Sequence, residues 1–121
     1  MKTAFLIFLG GGIGSVFRYY VSSLTHKLLP AGNFPLGTFV VNIVGCFLIG
    51  ALTAFYLRTD NSLKFLFITG FCGGFTTFST FSAENVTLYQ EGDYITLFIY
   101  IILSILAGIA AVSAGLYGVR A

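Results

Sequence analysis

The sequence predicts an all-α membrane protein built from four spanning helices per subunit. Charged residues make up 8% of the 121 positions and hydrophobic residues 57%. A soluble domain carries roughly 25% charged residues to meet water. Mean hydropathy is +0.96. Four apolar stretches reach about 20 residues, the length a helix needs to cross a hydrocarbon core about 30 Å thick. The net charge of +2 is too small to point to nucleic acid. His26, Cys46 and Cys72 are too few and too scattered for a zinc site. Cysteines inside apolar runs read as small buried thiols, not as a disulfide framework.

The spans fall at about 3–24, 36–57, 63–90 and 95–119, joined by short polar connections at 25–35, 58–62 and 91–94. They form a single transmembrane domain, 1–121, so any activity belongs to the membrane part itself. The first span follows Met1 and Lys2 and imitates a signal peptide, but it is too long and no clear small-residue cleavage site follows. Its Gly10-Gly11-Gly12-Ile13-Gly14 run also imitates a dinucleotide-binding turn. The spacing is wrong, no acid precedes Asp60 to hold a ribose, and no βα alternation follows. Gly10 and Gly14 instead form a GxxxG pair that lets helices approach closely, and Ala107, Ala111 and Gly115 repeat that spacing in the last span.

The second span carries Asn42, about six residues from its start. Arg18 lies about six residues before the end of the first span, and Glu84 about six before the end of the third. Six residues of helix is about 9 Å, so these groups share one depth below the same interface, with Tyr100 close to it. Polar groups at such depth are costly and mark function by default. Arg18 can snorkel to the headgroups, and Glu84 can serve as a partner for hydroxyl or backbone donors. Asn42 is too short to snorkel, so it must bond another helix or face water.

The third span is not a uniform helix. Gly70, Gly73 and Gly74 with Thr76 and Thr77 make a weak helix centre, and a break near 73–77 falls close to the midplane. Non-helical backbone survives there only when buried in protein or lining a polar cavity. The break frees carbonyls that suit a cation and amides that suit an anion. Beyond it, Thr76, Thr80 and Glu84 recur every fourth residue as a hydroxyl stripe. Phe75, Phe78 and Phe81 recur every third as an aromatic stripe. The fourth span is apolar apart from groups such as Tyr100 and carries the small-residue packing face.

Over essentially its whole length the chain resembles the Fluc (CrcB) family of fluoride channels. The likeness is carried by Gly11-Gly12-Ile13-Gly14-Ser15-Val16-Phe17-Arg18-Tyr19, by Pro35-Leu36-Gly37-Thr38-Phe39-Val40-Val41-Asn42 with Gly45, and by the long, specific run from Gly70 to Glu84. Ser15 stands where the family commonly has alanine, a minor departure. The resemblance implies a homodimer of four-helix subunits inserted antiparallel in the plasma membrane, with two anion pathways at the interface. By similarity Asn42, Phe78 and Phe81 line each pathway, with hydroxyls from Ser79, Thr80 and Thr38. Glu84 and Tyr100 would lie along its polar track, and Arg18 would draw anions into the vestibule. A structural sodium ion would be held by backbone carbonyls of Gly73 and Thr76 at the dimer centre.

The physics of fluoride agrees. A small, tightly hydrated anion needs compact donors, and an asparagine amide and the positive edges of phenylalanine rings supply them without a fixed charge. A basic side chain at the constriction would hold the ion too firmly, and the third span has none after Lys64. A proton-coupled exporter of the small multidrug resistance type would need a glutamate in the first helix, which is missing. A non-transporting accessory protein explains the packing glycines but neither Asn42 nor the broken span. An enzyme lacks a nucleophile–base or metal-ligand set. Lys2, Arg58, Lys64 and Arg120 on the face of the termini, against Lys27 on the other (with Arg18 if it counts), lean toward cytoplasmic termini. The bias is weak enough for mixed insertion, and inversion supplies the repeat that so short a chain lacks internally.

Overall fold

The computed structural model describes residues 1–57, 59 and 61–120, apart from the Arg120 side chain. The charges at Arg58 and Arg120, used above for orientation, lie outside the described residues. Helix α1 spans Lys2–Leu28 and α2 spans Leu36–Tyr56. A π-helical segment, Phe65–Cys72, runs into a short α-helical turn, α3, at Gly73–Phe75. Helix α4 spans Ser79–Gln90 and α5 spans Tyr94–Arg120. Among the described residues four crossings are long and apolar enough to span a membrane, the third being Phe65–Gln90 as a whole.

Helix α1 extends beyond the expected end near Leu24 because polarity marks the edge of the membrane, not the end of a helix. Thr25 donates back to the Val21 carbonyl at 2.7 Å, and Lys27 complements the dipole in the last turn. Pro30 stops the helix by forcing Leu29 out of helical geometry, at φ −130° and ψ 73°. Helix α4 ends in a Schellman motif: Gly92, at φ +75°, donates to Tyr89 O at 3.1 Å, and Asp93 N donates to Leu88 O at 3.0 Å. The same Asp93 starts α5, its Oδ1 accepting from Thr96 N at 3.3 Å.

The crossings pack in two pairs, α1 on Phe65–Phe75 and α2 on α5. The glycines explain the first pair. A Cβ at Gly10 would strike the Leu66 carbonyl and the Phe71 amide, and one at Gly14 the Phe71 carbonyl and the Phe75 amide. From the other side Gly70 and Gly74 meet the backbone of Gly10 and Gly11. The second pair repeats the device, with Gly50 against Val112 and Leu116, and Gly115 against Phe47 and Ala51. Gly14→Val should therefore cost about 1–3 kcal/mol, the usual penalty of overpacking. A lower melting temperature in detergent would report it, while Gly118→Val, where the added Cβ meets open space, should leave the melting temperature unchanged.

Candidate functional site

The site forms where the third crossing leaves helical geometry. Thr76 closes the first half. Its backbone is extended (φ −89°, ψ 159°), and its amide and hydroxyl both donate to Cys72 O, at 3.0 and 2.8 Å. Thr76 therefore precedes α4, and the hydroxyl stripe expected from Thr76 through Thr80 to Glu84 begins only at Thr80. The aromatic stripe is shortened for the same reason. Phe75 is buried and stacked on Phe71, with centroids 5.5 Å apart, and belongs to the packing of α1. Phe78 and Phe81 remain as a pair on the other side of the break, 6.0 Å apart.

Asn42 meets the break directly. Its Nδ2 donates to Thr77 O at 3.0 Å, and its Oδ1 accepts from Thr77 N at 2.8 Å. One side-chain amide thus satisfies both polar groups of a residue that has no helix to satisfy them. The Thr77 hydroxyl accepts from Thr80 N at 3.1 Å, taking one of the free amides at the start of α4, and lies 3.3 Å from the Ser79 hydroxyl. Thr77 was not among the residues expected to matter. Its signal was present, a hydroxyl residue inside a glycine-rich break, but the stripe periodicity favoured Thr76 instead.

Two cavities share Thr77 in their walls. One, of about 330 Å³, is mostly apolar and runs past Asn42, Thr77, Phe78, Phe81 and Ser104. The other, of about 390 Å³, is lined by Arg18 with Ser15, Ser22, Thr38, Thr77 and Thr80, although the Ser15 and Thr38 hydroxyls already donate to Gly11 O and Glu84 Oε2. Arg18 is half-buried. The buried Ser104 hydroxyl has no hydrogen-bond partner among the described residues. It sits one turn beyond Tyr100 on α5, a spacing that could have flagged it in the sequence.

Glu84, Thr38 and Tyr100 form a second cluster beside Phe81. Thr38 Oγ1 donates to Glu84 Oε2, and the Tyr100 hydroxyl donates to Oε1, both at 2.8 Å. The carboxylate is thus held by neutral donors from α2 and α5. Tyr100 is fully buried and its ring leans on Phe81, with centroids 4.9 Å apart. Of the residues at the common depth, the fold joins Glu84 to Tyr100 and leaves Arg18 in its own cavity. Gly73 is exposed, with open space where a side chain would begin. Ser79, Thr80 and Phe78 are exposed as well, Phe78 at 78%.

Comparison with known proteins adds an independent line. A family model described as CrcB-like protein, Camphor Resistance (CrcB), matches residues 5–116. A fluoride-specific ion channel of Azobacteroides pseudotrichonymphae is 53% identical over 118 residues, covering 95% of this chain and 94% of its own length. Proteins of the same name from Flavobacterium psychrophilum and Phocaeicola vulgatus are each 48% identical, covering 96% and 97% of this chain.

Proposed function

Because the chain belongs to the CrcB family, we propose that it is a fluoride-selective channel through which fluoride leaves the cytoplasm passively. It is a multi-pass membrane protein, and in bacteria the place of this family is the plasma membrane. The observation that carries the reading is the pair of cavities that have Thr77 in common. Thr77 lines both a cavity bounded by Arg18 and several serines and threonines and one bounded by Asn42, Phe78 and Phe81. Hydroxyls, an amide and ring edges can replace the water of a small anion without a fixed positive charge to trap it. Arg18 would raise the local anion concentration at the mouth. Outward flow follows from acid–base trapping: neutral HF crosses the bilayer, dissociates in a more alkaline cytoplasm, and needs a pore to leave as fluoride.

The working unit in this reading is an antiparallel homodimer with two pathways at its interface. Support comes from α4, which packs lightly on its own subunit and leaves Ser79 and Thr80 exposed along a membrane crossing. Hydroxyls facing hydrocarbon are costly, and a second copy would cover them. The α1 segment holds no acidic residue, which removes the proton-coupling group of a small multidrug exporter.

A structural sodium ion at the dimer centre is part of the proposal. The residues fit a hard cation that takes oxygen ligands. The Thr76 hydroxyl is turned back to Cys72, so backbone carbonyls remain for ligation, and Gly73 keeps an exposed, uncluttered face. Bound there, the ion would tie two breaks together electrostatically. Gly73→Val should accordingly leave the subunit folded, since nothing lies near its Cβ, yet abolish sodium-dependent dimer stability, read by size-exclusion chromatography with sodium exchanged for a large cation.

Fluoride efflux from liposomes carrying the purified protein, followed with a fluoride electrode beside a chloride control, tests the function. Rapid fluoride release without chloride release is expected. Release of both ions at similar rates, or of neither, would remove the reading.

A further inference from the structure

The connection between α1 and α2 is a built seat for one aromatic ring. Phe34 N donates to Ala31 O at 3.2 Å across a tight turn whose second residue, Gly32, takes φ +64°. Leu36 N donates to Phe34 O at 2.8 Å. Asn33 Nδ2 donates to Asp93 Oδ2 at 3.0 Å, clipping this turn to the one between α4 and α5. The bond from Asn33, then that from Thr96, holds the Asp93 carboxyl below the usual carboxylate range. The carboxylate, the stronger acceptor, is therefore the form present at neutral pH, and the clip weakens only as pH falls through that lowered value. Next to this clip Phe34 stands edge-on against Tyr100, centroids 5.3 Å apart and planes at 74°, and against Phe39, centroids 5.6 Å apart.

Tyr100 is thereby pinned on three sides: by Glu84 at its hydroxyl, by Phe81 on one flank of the ring and by Phe34 on another. The rings form a continuous row from the loop inward, Phe34, Tyr100, Phe81 and Phe78. An anion is attracted by the edge of a ring and repelled by its face, so the tilt of Phe81 matters to whatever passes it. We infer that Phe34 is a positioning residue for conduction: through Tyr100 it fixes the tilt at which Phe81 meets the ion. The inference rests on the channel reading above. An aromatic residue at a membrane edge can also serve as an interfacial anchor. That role requires neither a left-handed glycine, nor a side-chain clip, nor contact with a fully buried tyrosine.

Phe34→Leu keeps apolar bulk and removes the ring, whereas Phe34→Tyr keeps the ring. Fluoride efflux per reconstituted protein should fall at least about tenfold in Phe34→Leu and stay within about twofold of wild type in Phe34→Tyr, with both proteins monodisperse. A space-filling residue would give equal rates in the two variants, and that result overturns the inference. Should Phe34→Leu fail to fold, Asn33→Ala decides, because it frees the turn without touching a ring. A fall of about two- to fivefold supports the inference, and an unchanged rate overturns it. A wild-type chain that passes no fluoride defeats the channel reading, and this inference with it. A conducting wild type with unaffected variants defeats this inference alone.

Discussion

Asn42→Asp abolishes fluoride efflux at neutral and alkaline pH while leaving the four crossings folded. The variant keeps the acceptor for Thr77 N but replaces the donor that faces Thr77 O. Leaving that carbonyl without its partner costs about 1–3 kcal/mol, enough to loosen the break but not to unfold the α1 and α2–α5 packing. The larger effect is electrostatic. A fluoride about 4 Å from the new carboxylate meets about 4 kcal/mol of repulsion at an effective dielectric constant of about 20, roughly a thousandfold in occupancy. A protonated acid would escape this penalty, so the efflux assay is run from neutral to alkaline pH. Wild-type rates across that range would mean that Asn42 only buttresses the break and that fluoride travels elsewhere.

Phe78→Ile and Phe81→Ile each lower fluoride efflux by at least about tenfold, with the protein still monodisperse and its melting temperature little changed for Phe78. Both keep apolar bulk and delete only the ring. Phe78 is 78% exposed, so its loss disturbs little packing within the subunit, and any fall in flux is assigned to the pathway. Phe81 also loses its contacts with Tyr100 and Phe78. Aromatic pairs are worth about 0.5–1.5 kcal/mol each beyond burial, so some destabilisation accompanies the loss of flux there. Unchanged rates in both variants would place the two rings against lipid.

The four crossings were legible because hydropathy reports the membrane directly. The end of α1 was not, since Ser22, Ser23 and Thr25 continue a helix that has already left the apolar zone, and only Pro30 ends it. Asn42 was legible as a residue that needs a partner because its side chain is short. The identity of the partner was not, because it depends on which peptide of the break lacks a helical bond, and that turns on a single residue of register. Reading Thr76, Thr80 and Glu84 as one stripe assumed an unbroken helical phase, and the extended backbone at Thr76 cancels it. The common depth of Glu84 and Tyr100 did foreshadow their hydrogen bond, while the third partner, Thr38, had only the resemblance to recommend it. Phe34 and the Asn33–Asp93 clip left no trace, because residues in connections obey no period.

The glycine-on-glycine crossing between α1 and Phe65–Phe75 also bears on how the chain enters the membrane during synthesis. The α2 and α5 crossings are the most apolar and can partition into lipid unaided, whereas Phe65–Gln90 is the least apolar of the four and depends on Asn42 of α2 to pair the Thr77 amide and carbonyl at its break. Stranded alone in hydrocarbon, such a segment would be poorly retained. Its docking surface on α1, flattened by Gly10 and Gly14, is already in the bilayer when it emerges. In that order of synthesis the first crossing would offer the third a surface to pack on as it enters the bilayer. A bulky residue at Gly14 should consequently lower the share of newly made chains in which Phe65–Gln90 is integrated, besides lowering the melting temperature of the chains that are.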